Sequence, residues 1–196
     1  MKKLYSLILV LAMVLSLCPS VSLAQNSYDE QSAITLVKTL GIMVGDESGN
    51  MHLDKMVSRA EFSKIAVVMS KYRKTVAPHV NISVFSDCTF KHWAAPYVKV
   101  AVTNGIITGY PDGTFRPENT VTLEEAVTVM LKLMGYTNED FGTSWPYGQM
   151  GIASGAHLLD NIDKGVGSTL SRRDVIKLVC NTLSANPKNA QSTSAK

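Results

Sequence analysis

The sequence predicts an all-α fold built from three helix–loop–helix units packed with pseudo-threefold symmetry. Three observations carry that expectation. The chain repeats itself at an offset of 64, where Gly41-Ile42-Met43-Val44-Gly45 matches Gly105-Ile106-Ile107-Thr108-Gly109 and Val57-Ser58-Arg59-Ala60-Glu61 matches Val121-Thr122-Leu123-Glu124-Glu125. A more worn third copy pairs Ala156-His157-Leu158-Leu159-Asp160 with Leu170-Ser171-Arg172-Arg173-Asp174, two residues closer together. The apolar positions that follow each second motif also keep helical spacing.

The second helix of each unit is the clearest element. Phe62, Ile65, Ala66 and Met69 fall at i, i+3, i+4 and i+7, as do Ala126, Val129, Met130 and Leu133, and again Val175, Leu178, Val179 and Thr182. Ser58, Thr122 and Ser171 stand as N-caps, with Glu61, Glu125 and Asp174 three residues on, the spacing of a capping box. The first helices are fainter. Ala33, Leu36, Val37 and Leu40 mark one, 95–102 a second, and roughly Pro146 to Ser154 a third. Gly41 and Gly105 follow the first two, where a left-handed C-terminal residue is wanted. One helix pair cannot bury its own apolar stripe, so the three units are expected to share a core.

The chain has 196 residues, 45% hydrophobic and 18% charged. Its start reads as an export signal over residues 1–24. Lys2 and Lys3 precede the apolar run Leu4 to Leu17, with small Ser22 and Ala24 before the expected cut. That run is shorter than the roughly 20 residues of a membrane span. Removing it lowers the formal charge from +3 to +1, which takes away the main support for a nucleic-acid partner. The mature chain is then divided as unit one at 25–72, a linker at 73–83, unit two at 84–136, a linker at 137–143, unit three at 144–184 and a disordered tail at 185–196. No membrane span and no additional cargo domain are expected.

Several chemistries find little support. Leu15-Ser16-Leu17-Cys18 half-resembles a lipidation motif, but Leu17 stands where a small residue is wanted. Cys88 and Cys180 could pair in an oxidising compartment, or Cys180 could be a buried free thiol in its helical pattern. Asp46-Glu47-Ser48-Gly49-Asn50 hints at a calcium loop, yet Met51 and Val57 occupy the sixth and twelfth places, so a surface turn is the default. The histidines His52, His79, His92 and His157 are scattered, and no nucleophile stands beside a base. The expectation is no enzyme, no cofactor and no metal.

The motifs of unit two point to a family. Phe85-Ser86-Asp87, His92-Trp93-Ala94 and the run from Asn104 through Gly109-Tyr110-Pro111-Asp112-Gly113 to Pro117 strongly resemble an S-layer homology (SLH) domain. Ser58-Arg59-Ala60-Glu61 resembles the family's Thr/Ser-Arg-Ala-Glu signature, and Ser171-Arg172-Arg173-Asp174 is a variant of it. The resemblance spans about 33–183. It implies three SLH repeats in a three-pronged helical domain that holds an exported protein non-covalently to a bacterial cell wall or S-layer. The implied partner is an acidic secondary cell-wall polysaccharide carrying pyruvate ketals.

The resemblance assigns the pyruvyl carboxylate to Arg59 and Arg172. Each follows its N-cap, where the positive helix end and free N–H groups favour an anion and a guanidinium adds a bidentate clamp. Ser58 and Ser171 cap those helices. Gly45 and Gly109 are expected to let sugar approach the backbone, while Trp93 either stacks on a ring or packs. Asp87 matches a family aspartate that is partly structural. Leu123 replaces the arginine in unit two, so at most two grooves are expected to take an acidic glycan. The alternative is a surface adaptor or S-layer-associated protein that docks an exported partner, with glycan binding weak or lost.

Overall fold

The computed structural model describes residues 28–188; the expected export signal and the last eight residues of the expected tail lie outside that range. The described residues form seven α-helices: α1 (Glu30–Thr39), α2 (Arg59–Met69), α3 (Ala95–Thr103), α4 (Leu123–Leu133), α5 (Asn138–Phe141), α6 (Tyr147–Gly155) and α7 (Arg172–Ser184). A single 3-10 turn spans Arg73–Thr75.

The long helices start where the side chains specify. In α2 the Ser58 hydroxyl accepts from the Glu61 N–H, and the Glu61 carboxylate accepts from the Ser58 N–H. Thr122/Glu125 and Ser171/Asp174 repeat that box at α4 and α7. Phe62, Ile65 and Ala66 of α2, Ala126, Val129 and Met130 of α4, and Val175, Leu178, Val179 and Thr182 of α7 are buried. The stripe expected on α1 is narrower. Ala33 and Val37 are buried, but Leu36 and Leu40 remain 40% and 39% exposed.

A ring of backbone bonds joins the three units at the centre. The Val57 N–H donates to the Leu170 carbonyl, Leu170 to Val121, and Val121 back to Val57, at 2.9–3.1 Å. One residue from each unit thus satisfies one from the next, which is the pseudo-threefold axis made visible in hydrogen bonds. The packing around it is exchanged between units. The second helix of one unit lies against the first helix of the next: α2 on α3, α4 on α6, and α7 closing the circle on α1.

Unit three differs in register from the sequence alignment. The N–H groups of Ile42, Ile106 and Leu158 reach back to the carbonyls of Val37, Ala101 and Ala153, which makes these residues equivalent. His157, at φ 61°, therefore takes the left-handed position held by Gly41 at 64° and Gly105 at 67°. Asn161, rather than Asp160, stands opposite Gly45 and Gly109, and the loop that follows is three residues shorter. The polar stretch 137–143 contains α5, whose Phe141 is buried. At its far end the described chain is tied back to unit two: the Lys188 N–H donates to the Met134 carbonyl, and its ammonium contacts both Asp140 oxygens at 2.6 and 2.7 Å.

Candidate functional site

The starts of α2 and α7 are clasped by neighbouring loops. The first two N–H groups of α2, on Arg59 and Ala60, donate to the carbonyls of Asn119 and Pro117 in unit two. Those of α7, on Arg172 and Arg173, donate to Lys55 and Leu53 in unit one. With the third N–H taken by each cap, the early donors are spent within the chain. The free N–H groups expected to favour an anion are thus occupied, and only side chains remain to attract one.

The two arginines follow the same plan with different depth. Arg59 is 7% exposed. Its Nε donates to the Phe115 carbonyl at 2.9 Å and its Nη2 to Thr108 at 3.2 Å, while Nη1 pairs with Glu125 at 2.9 Å. Its guanidinium lies 4.6 Å from the Tyr110 ring centroid and 4.9 Å from that of Phe115. Three of its five N–H donors are engaged, so two are left for a ligand. Arg172 makes the matching carbonyl contacts, to Met51 at 2.6 Å and Val44 at 2.7 Å, in a half-buried position. The counterpart of Glu125 is Glu61, which contacts Lys55 instead at 3.0 Å. In the third junction Leu123 is fully buried, and the Glu124 carboxylate accepts the Gly167 N–H at 2.9 Å. That junction is closed by an aliphatic side chain and a backbone contact, with no guanidinium.

A cleft of about 510 Å³ opens beside Arg59. The loop 108–111 and Phe115 form one wall; Glu125, Thr128, Val129 and Lys132, all on one face of α4, form another; and Trp145, which precedes the cis peptide to Pro146, sits at its edge. Tyr110 donates its hydroxyl to Glu125 at 2.6 Å, and desolvation and this contact push its pKa up. Lys132 is half-buried, and burial holds its ammonium below the ordinary lysine range. Arg59 and Lys132 together outnumber the one carboxylate, Glu125, in the lining. The cleft combines cationic donors with aromatic faces, an arrangement suited to an acidic sugar.

The other expected residues lie elsewhere or serve the chain. The space over Gly109 is filled by the Phe85 ring, since an added Cβ would meet its Cε1 at 2.3 Å. At Gly45 the same atom would meet the Gly49 backbone at 2.7 Å. Both glycines permit close packing of the protein on itself, and Gly109 also lines the Arg59 cleft. Trp93 is 52% exposed and lies outside the Arg59 cleft, whose edge is instead held by Trp145, 59% exposed. Ser58 and Ser171 cap their helices. Asp46 accepts from Ser48, Asn50 and His52 within its own turn, and among the described residues no cluster of three or more His, Cys, Asp or Glu is placed to hold a metal. Cys88 and Cys180 are free thiols; burial pushes Cys88 up to about 11.

Sequence reasoning missed Lys132 and Trp145. Lys132 had a signal: the repeat offset places it opposite Val68, a charge where unit one is apolar. Trp145 had none, because it stands at the start of unit three, ahead of α6, and reaches the cleft only through the exchanged packing.

Asp87 holds a left-handed turn. Its carboxylate accepts the N–H groups of Phe115 at 2.9 Å and Arg116 at 2.7 Å, and Arg116 has φ 57°. Desolvation pushes its pKa up, but the two backbone donors outweigh it and leave the group below the usual range. The unfolded chain then binds more protons, so this stabilisation is present above the ordinary aspartate pKa and is lost as pH falls through the lower folded value. Asp87→Asn is expected to cost about 1 kcal/mol near neutrality and to flatten the loss of stability on acidification. Urea unfolding across that pH range measures both.

Comparison with known proteins places these features in context. The S-layer homology domain profile matches residues 24–63 and 85–127, in units one and two. The chain is 27% identical to the middle cell wall protein of Brevibacillus brevis, over 93% of this chain and 18% of that protein. It is 28% identical to a surface layer protein of Brevibacillus choshinensis, over 86% of this chain and 15% of the relative. A cellulosome-anchoring protein of Acetivibrio thermocellus is 29% identical over 50% of the chain and 22% of that protein. The chain thus spans less than a quarter of each of these relatives. Two of its segments match that profile, and the match and these relatives point the chain to the cell wall or cell surface.

Proposed function

We propose that this chain is a non-catalytic wall-anchoring module, in which unit three is a diverged third S-layer homology repeat. In this proposal it binds an acidic, pyruvylated secondary cell-wall polysaccharide without covalent attachment. The observation that carries the proposal is the Arg59 cleft, with its excess of positive charge and its aromatic wall of Tyr110, Phe115 and Trp145. A ketal carboxylate would accept from the two remaining guanidinium N–H groups and from Lys132, while a sugar face lies on Trp145. The anchoring of cellulosomes by one relative, and the cell-wall and surface-layer names of others, agree with this use.

Lys132 separates binding from folding. Lys132→Met keeps the apolar stem and removes a half-buried cation, so the unfolding temperature is expected to hold or rise. Affinity for isolated wall polysaccharide, by contrast, should fall about tenfold with loss of one charge-assisted contact. Calorimetric titration against that polysaccharide reads the change. Unchanged affinity in both Lys132→Met and Trp145→Ala would exclude this cleft. A surface adaptor that docks an exported partner is the second reading, supported by the exposed apolar side chains Ile82, Val84, Phe90 and Trp93 along one segment.

A further inference from the structure

A second cleft, of about 540 Å³, lies at the C-terminal ends of α2, α3 and α4. It shares two wall residues, Ile106 and Lys132, with the Arg59 cleft. The two clefts are therefore neighbours along α4. Glu125, Thr128, Val129 and Lys132 line the upper one; Lys132, Leu133 and the residues just after the helix line the lower. From Glu125 to Leu133 this common wall runs for ~12 Å along the helix axis.

The lower cleft has its own chemistry. Lys71 and Lys132 line it and no carboxylate does. Ser70, Asn104 and Asn138 add hydroxyl and amide groups, and Tyr72 offers an aromatic ring that also lies 5.2 Å from the Lys71 ammonium. Cations without a carboxylate beside them, amides, and an aromatic ring suit an acidic glycan better than an apolar ligand. Lys132 at the junction can serve a carboxylate from either side.

We infer that the two clefts form one continuous track for an acidic oligosaccharide, with Lys132 at the junction of an upper subsite at Arg59 and a lower subsite at Lys71 and Tyr72. This rests on the wall-glycan proposal above and extends it from one sugar residue to a polymer segment. A ligand bound along a track gains affinity from its second subsite without paying again for lost rotational and translational freedom.

The test compares fragments of purified wall polysaccharide, sized to single ketal-bearing residues and to oligomers, titrated into the full protein. Oligomers should bind about tenfold more tightly than single residues. Tyr72→Ala, or Lys71→Gln if the former fails to fold, should bring that ratio close to one by weakening the oligomers. Equal affinity for both sizes in the unsubstituted protein overturns the track, as does a ratio untouched by the lower-cleft substitutions. Failure of both sizes to bind overturns the wall-glycan proposal itself, and the track with it.

Discussion

Arg59→Ala should lower the unfolding free energy by about 3–5 kcal/mol, because it breaks a buried ion pair and leaves its carboxylate behind. The substitution leaves Glu125 without its cation, held only by the Tyr110 hydroxyl and the Thr122 N–H, removes the donors to the Phe115 and Thr108 carbonyls, and takes a cation from between two aromatic rings. The matching change at Arg172 should cost less, about 1–2 kcal/mol, since its two carbonyl contacts are nearer to water and no carboxylate is left unpaired. Chemical denaturation of the two variants measures the difference. Equal costs would mean that Glu125 contributes little to the role of Arg59. The same comparison shows why an alanine at Arg59 is a poor probe of ligand binding: it disturbs the wall of the site along with any contact to sugar.

Removal of α7 by truncation after Leu170 should abolish cooperative unfolding. The helix buries Val175, Ile176, Leu178 and Val179, and its contact with α1 closes the circle of exchanged helix pairs. Burial of each such side chain contributes about 1.5–3 kcal/mol. Their sum, about 6–12 kcal/mol, is comparable to the roughly 5–15 kcal/mol that typically separates a folded domain from its unfolded chain. Loss of Arg172 and Arg173 also frees the unit-one loop and removes the ion pairs from Arg173 to Glu30 and Asp54. The truncated chain should show no sharp thermal transition and weak near-ultraviolet dichroism. A sharp transition would indicate that units one and two fold without the closing contact.

What was legible in the sequence follows from how local each feature is. A capping box is a matter of four consecutive residues, so Ser58, Thr122 and Ser171 could be placed without tertiary knowledge. The buried stripes of α2, α4 and α7 were equally plain, because those helices carry apolar residues on one face and pack along their length. The short α1 misled: Leu36 and Leu40 have the right spacing, but a single partner helix, α7, covers only Ala33 and Val37 well. In unit three, His157 adopts a backbone conformation that glycine marks in the other units, so the alignment slipped by one residue.

The site was less legible than the fold for a related reason. The repeat motif drew attention to Arg59, yet its depth depends on Phe115, Thr108 and Glu125, which come from the next unit. The free N–H groups expected beside it are filled by Asn119 and Pro117, residues that no local pattern connects to α2. Exchanged packing of this kind places every groove wall across a unit boundary. Gly109 shows the limit in the opposite direction: a small residue beside a candidate site suggests room for a ligand, while here the space a side chain would take belongs to Phe85.

Wall binding itself is the most direct measurement. Purified protein would be sedimented with isolated cell walls, before and after their secondary polysaccharide has been stripped by mild acid. A wall-anchoring module that reads acidic glycan should sediment with intact walls and stay in solution with stripped ones. Folded protein that remains soluble with intact walls, or sediments equally with both, would contradict glycan anchoring.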